Sequence, residues 1–257
     1  MKTFLTYLNK DLSEQTRSFK LICLCAVFAL FTITNPLIAK LTPLMMEMMA
    51  DSLAEAGLTI TVQSVTDIDS WTQFFKNIPL VLIVFVIIES NILTKESSNG
   101  SLALVLTKGL ERYKIILSKT TVITALWTVL YAISAIATPA LNALLWEDTL
   151  AKNLFPALLL WWLFGLFIIN LIIIFSSLSK SNIVVLCGCG GVGLICYIIS
   201  AIPKINKLSP AYLTRGISLI VDSQKSEDFY YAITITAALL IISIAASIIL
   251  FNKKEIN

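Results

Sequence analysis

Few residues of this chain combine a chemically active side chain with a place to use it. Inside the long apolar stretches only Glu89 carries an ionisable group, near the polar end of its run, with Asn91 two positions on. An ionisable residue at membrane depth marks a transport or ion pathway by default, so Glu89 and Asn91 lining a pathway is one expectation. The other is a carboxylate that reaches the interface and pairs with Lys95 or a neighbouring lysine. Asn35, Asn142 and Asn170 read as bonds between helices.

Cys187 and Cys189 form a Cys-x-Cys pair within LCGCGGVG (186–193), but nothing nearby completes a ligand set. The glycines there read as small residues that let another helix come close. The chain has no histidine, which removes His-rich zinc sites and serine triads together. GCGGVGLIC (188–196) supplies the glycines of a phosphate-binding loop but not its lysine and hydroxyl residue. No catalytic residue, metal or cofactor is therefore expected in this chain, and it reads as a non-enzyme.

The elements that must carry these residues are apolar: 57% of the 257 residues are hydrophobic, 14% are charged, and the mean hydropathy is +0.86. A soluble domain carries about 25% charge, so the chain reads as an all-α integral membrane protein in one domain, 1–257. A crossing helix needs about 20 apolar residues, and six runs qualify: 21–39, 78–94, 120–145, 154–178, 183–202 and 230–251. They are continuously apolar, whereas barrel strands alternate. The first run has no small-residue cleavage site after it and is read as a retained span. All five cysteines fall within apolar runs, so they read as small hydrophobes and not as a disulfide framework.

Lysine and arginine placement sets the orientation. With a cytoplasmic N-terminus, the inner segments hold twelve of the nineteen basic residues. Both termini are then cytoplasmic in a plasma-membrane protein. The net charge of +3 reflects this topology and gives no reason to expect nucleic acid. Residues 1–20 place Phe4, Leu5, Leu8 and Leu12 on one stripe, the pattern of a helix lying in the membrane surface. The outer loop 40–77 contains TPLMMEMMADSLAEAG, opened by Thr42 and Pro43 and closed by Gly57, which predicts a small separate helix. AYLTRGISLIV (211–221) is too short to cross and too apolar for a free loop, so a re-entrant segment is expected before the last span.

Between the second and third runs lies TKESSNGSLALVLTKGLERYKIILSK (94–119). Ser101 suits a helix start, Lys108 a last turn and Gly109 a stop, so SLALVLTKG predicts about two turns of helix. Leu102, Val105 and Leu106 share one face while Ala103 and Leu104 lie off it. A helix apolar nearly all round calls for a groove. Arg112, Lys114 and Lys119 are expected at the lipid headgroup level.

A glutamate, a glycine followed by a hydroxyl residue, a short leucine-rich helix, and then Arg and Lys before the next span resemble the membrane subunits of ATP-binding cassette exporters, the type-2 permease class. The matching positions are Glu96, Gly100, Ser101, Leu102, Leu104, Leu106, Arg112 and Lys119. Lys108 and Gly109 stand where that family commonly has Thr-Pro or Lys-Pro. The resemblance implies six spans, an interfacial helix before the first, and short re-entrant helices before the sixth. It implies that Glu96, Gly100, Ser101, Leu102, Leu104, Val105, Leu106 and Arg112 form a coupling helix seated on a separate ATPase, which holds the ATP and magnesium. A second permease copy or a paralogue completes such a transporter, and the apolar interior suits export of an amphipathic or hydrophobic cargo such as a peptide, drug or lipid. An ion-coupled carrier or channel without an ATPase is the alternative, and a membrane anchor or sensor subunit is a third reading. The basic asymmetry makes a direct expectation: a tag within 97–99 is accessible only from the cytoplasm, and a cysteine introduced at Asp67 labels from outside. Outside accessibility at Ser98 overturns the orientation.

Overall fold

The computed structural model describes residues 2–55, 65–107 and 109–254, and every regular element among them is helical. The order is α1 (Lys2–Thr16), α2 (Phe19–Glu55), α3 (Asp67–Glu89), α4 (Thr94–Ser98), α5 (Ser101–Thr107), α6 (Arg112–Leu145), α7 (Leu154–Leu178), α8 (Asn182–Ala201), α9 (Ile217–Ile220) and α10 (Tyr230–Lys253), with short 3-10 turns before α9 and α10. Six helices are long and apolar enough to cross a membrane, over Phe19–Met48, Asp67–Ser98, Arg112–Leu145, Leu154–Leu178, Asn182–Ala201 and Ser226–Lys253. The chain is an all-α multi-pass membrane protein.

The α7 sequence has no charged residue, and an all-round apolar helix belongs inside a bundle. It is the most enclosed span, with 67% of its most apolar window buried, and packs against α6, α8 and α10. By contrast α8 and α10 bury only 22% and 17% of theirs, leaving broad apolar faces that suit lipid. On the other side, α2 lies against α3 and α6. Trp127 of α6 joins the two halves. Its indole meets Phe28, Phe85 and Tyr131 at ring separations of 5.9, 5.5 and 5.4 Å, and Gly165 of α7 lets it in.

The expected outer loop 40–77 is mostly not a loop. α2 runs unbroken past Pro36 and Pro43 to Glu55, so the separate helix expected after Thr42 is a continuation of the first span. Each interior proline removes one helical hydrogen bond, but packing on α3 and α6 holds the line on both sides. Gly57, the expected stop, lies outside the described residues. α3 begins eleven residues before its apolar run because Thr66 and Asp69 form a cap, the Thr66 amide donating to Asp69 Oδ2 at 2.9 Å. Asp67, buried, accepts from the amides of Leu150 and Ala151 at 2.9 and 3.2 Å, tying two loops together. A label at Asp67 would break this tie, so the exposed Asp148, on the adjoining loop, is the better labelling position.

The expected re-entrant segment is a 3-10 helix over Pro210–Gly216 followed by α9, lodged against α7, α8 and α10. Tyr212 and Leu213 are buried, and Trp161 donates to the Thr214 carbonyl at 2.9 Å. Gly216 comes so close to α7 that a Cβ there would lie 2.8 Å from the Ala157 carbonyl oxygen. Within LCGCGGVG, Gly188 packs under Phe175, as small-residue packing predicts, while Gly190 and Gly191 face open space.

A methyl group on Gly165 would sit 2.3 Å from the Trp127 ring, which has no room to retreat. Gly165→Ala is therefore expected to destabilise the bundle by about 1–3 kcal/mol. Gly190→Ala, with nothing within 4 Å, is expected to be neutral or mildly stabilising. Thermal unfolding in detergent compares the two, and equal midpoints would contradict the packing at Trp127.

Candidate functional site

Residues 94–107 fold as two short helices joined by a tight turn. Gly100 has φ of +69°, a left-handed conformation that glycine adopts without strain, and Gly109 beyond α5 has φ of +83°. Ser101 does not cap α5 from outside. It is the first helical residue, and its hydroxyl donates to the Glu96 carbonyl at 3.4 Å. Leu93 and Leu102 are fully buried and anchor the pair of helices in the chain's own core. Val105 and Leu106 pack partly against that core, whereas Leu104 is 66% exposed. The groove expected for α5 is thus in part intramolecular. Leu102 occupies it, and Leu104 is left pointing away.

Beneath this loop lies a buried ion cluster. Lys119 of α6 is buried within the protein; its ammonium donates to Asp11 Oδ1 at 2.9 Å and Glu96 Oε1 at 3.0 Å. Ser118 donates to Asp11 Oδ2 at 2.7 Å, the Tyr7 hydroxyl to Glu96 Oε2 at 3.0 Å, and Lys10 to Glu96 Oε1 at 3.0 Å. Three segments far apart in sequence, α1, α4 and α6, meet on these bonds. Burial pushes the Asp11 carboxyl up, against the opposing pull of the Lys119 charge. Burial, then Asp11 and Glu96, push the Tyr7 phenol well above its ordinary range, so it remains a donor.

Three sectors of α1 explain its position. Tyr7 and Asp11, one turn apart, are buried on the bundle. The stripe containing Leu5 and Leu12 lies roughly a quarter-turn round and is exposed, while Asn9 and Ser13 share the remaining side. A helix with one side on protein, one apolar and one polar suits the edge of a bundle at a membrane surface.

Glu89 is fully buried at the end of α3. Its expected partner Lys95 instead approaches Glu14, at 4.0 Å. Glu89 accepts from Gln15 at 2.5 Å and lies 3.7 Å from the Lys20 ammonium, which also donates to Asn91. Both expected pathway residues are thus drawn towards the junction of α1 and α2. Arg112 likewise turns inward: its Nη1 donates to the carbonyls of Phe251, Asn252 and Lys254 at 3.1, 3.0 and 2.6 Å, closing the end of α10. Lys254 does the same for α7 through Ser176 and Ser179, at 3.0 and 3.1 Å. Cations at helix C-termini complement the orphan carbonyls and the dipole there.

Of the residues implied for coupling, the structure places Leu104 outward, sets Val105 and Leu106 beside it, and gives Glu96, Gly100, Leu102 and Arg112 supporting positions. Asp11 and Tyr7 were missed. Their spacing of four is visible in the leader, but the lysine that explains it stands 108 positions away. No family model matches the chain, and none of the curated proteins matches it.

Removing one partner of a buried ion pair costs about 3–5 kcal/mol, because the other charge is left unpaired in the interior. Lys119→Met strands Asp11 and leaves Glu96 with the half-exposed Lys10 alone, and is expected to free α4 and α5, raising amide exchange over residues 94–107 by roughly a hundredfold or more. Lys207→Met removes an exposed pair with Asp228 and is expected to leave exchange there unchanged. Unaltered exchange in the Lys119 variant would remove the cluster's structural role.

Proposed function

We propose that this chain is the permease subunit of an ATP-binding cassette exporter, with α5 as the element that seats on a separate ATPase. In this reading the α1 side of the bundle is cytoplasmic, both termini lie there, and two permease chains work with two ATPases. The observation that carries the reading is Leu104: a large apolar side chain, 66% exposed, on a short helix whose opposite face is locked into the bundle. A helix held this firmly and tipped by an unpartnered leucine fits a protein groove better than it fits water.

The mechanism follows from the attachments. Closure of the ATPases around nucleotide pushes α5, and α4 and α5 are fixed to the ends of α3 and α6 by Leu93, Leu102 and the Lys119 cluster. A displacement of α5 therefore reaches two spans and α1 together, as a rigid-body rocking of helices requires. The cargo is amphipathic or hydrophobic. Glu89 and Asn91, held by Lys20 and Gln15 at one end of the bundle, fit a structural tie at that end better than an ion-coupled carrier acting alone.

Leu104→Asp puts a charge into the proposed seat, where an unpaired carboxylate costs several kcal/mol, and is expected to weaken ATPase binding about a hundredfold. Insertion and folding are expected to be normal, because the side chain touches little of its own chain. Co-purification in detergent with an ATP-binding cassette ATPase from the same genome, followed by hydrolysis assays, makes the test. A fully active complex containing Leu104→Asp would exclude α5 as the coupling element.

A further inference from the structure

A second feature of the α1 side is a cavity of about 350 Å³ at the elbow where the chain leaves α1 and enters α2. Its walls come from four places: the end of α1, the start of α2, the segment joining α3 to α4, and α6. Four cations line it, Arg17, Lys20, Lys95 and Lys119, opposite Asp11, Glu14 and Glu96.

The acids are already covered. Asp11 and Glu96 hold Lys119, Lys10 adds to Glu96, and Glu14 lies within 3.8 Å of Lys10 and 4.0 Å of Lys95. Counting Glu89 with Lys20, and Lys10 with its acids, one positive charge is left over. Arg17 supplies it, since among the described residues its guanidinium has no hydrogen-bond or ion-pair partner. The lysines are also crowded: Lys20 is near enough to Lys95 and to Lys119 for each like charge to act on it. A cavity with one uncompensated cation and crowded ammonium groups is complementary to a monoanion with several acceptor oxygens, and guanidinium and ammonium groups together suit a phosphate.

The position narrows the source. The chain turns at Arg17 and Ser18 immediately before the first membrane-spanning helix begins at Phe19, and cations at the end of a span suit lipid headgroups. Phe19 and Ile22, at the start of α2, are 75% and 62% exposed and offer a wall for acyl chains just beyond the cations. We propose that the elbow cavity binds a phosphate group through Arg17, Lys20 and Lys95, and that a phospholipid headgroup supplies it. A phosphodiester carries the single negative charge that the cavity lacks. The bound headgroup bridges α1 to α4, and so braces the loop that carries α5.

Native mass spectrometry of the full chain tests this with phosphatidylglycerol, diacylglycerol and inorganic phosphate as probes. The variant is Arg17→Gln with Lys95→Gln, two exposed residues outside the Lys119 cluster; the control is Lys204→Gln with Lys225→Gln, which removes equal charge on the opposite face. The wild type and the control are expected to retain phosphatidylglycerol about tenfold more strongly than the variant, with little diacylglycerol bound. Binding of inorganic phosphate alone, lost in the variant, would keep the phosphate site and replace the lipid by a free ion. Equal retention by wild type and variant, or diacylglycerol binding as well as phosphatidylglycerol, overturns the proposal.

Discussion

One buried ammonium, that of Lys119, decides how the α1 side of this protein is built. A lysine taken out of water loses several kcal/mol of hydration, and only close anions with good geometry offset that cost. Asp11 and Glu96 provide them at 2.9 and 3.0 Å, and each brings its own segment along. α1 cannot move off the bundle, nor α4 rise from it, without stranding a charge. The remaining carboxylate oxygens are met by Ser118 and Tyr7, and Lys10 shares Glu96 Oε1 with Lys119, so the cluster is nearly closed on itself.

The opposite constraint, burial of apolar surface, sets the rest. α7 is enclosed because it carries nothing polar enough to need water, and Trp127 fills the space between the halves because Gly165 leaves room for it. Carbonyls at helix ends lack helical partners, and Arg112 and Lys254 close the ends of α10 and α7. These uses of charge are internal. Leu104 is different, since the described residues leave it 66% exposed, and the proposed function rests on that contrast.

Much of the fold was legible in the sequence. Continuous apolar runs gave the six spans, and AYLTRGISLIV was recognisable as a packed segment because its length and polarity fitted neither a span nor a loop. The ends of helices were not legible. Polarity suggested that α2 stopped near Lys40 and that α3 began near Ile78, but a helix continues where neighbours pack on it, and Trp71, Phe74 and Phe75 are buried ahead of the apolar run. The T-x-x-D pattern at Thr66 was the one local sign of the true start. The site was half legible. The apolar character of α5 was plain, but which leucine faces inward depends on Lys119, Asp11 and Glu96 meeting from three segments, and no local pattern encodes that meeting. Arg112 illustrates the same limit, since its partners are the last carbonyls of α10.

The central claim is that α5 is held by the chain on one face and by an ATPase on the other. A photo-crosslinking side chain placed at Leu104, with a second at the exposed Leu5 of α1 for comparison, tests it in intact cells. The expected result is a crosslink from position 104 to an ATP-binding cassette ATPase, while position 5 yields lipid adducts only. Lipid adducts or no product at position 104, in cells where the chain is correctly inserted and the ATPase is present, would contradict it.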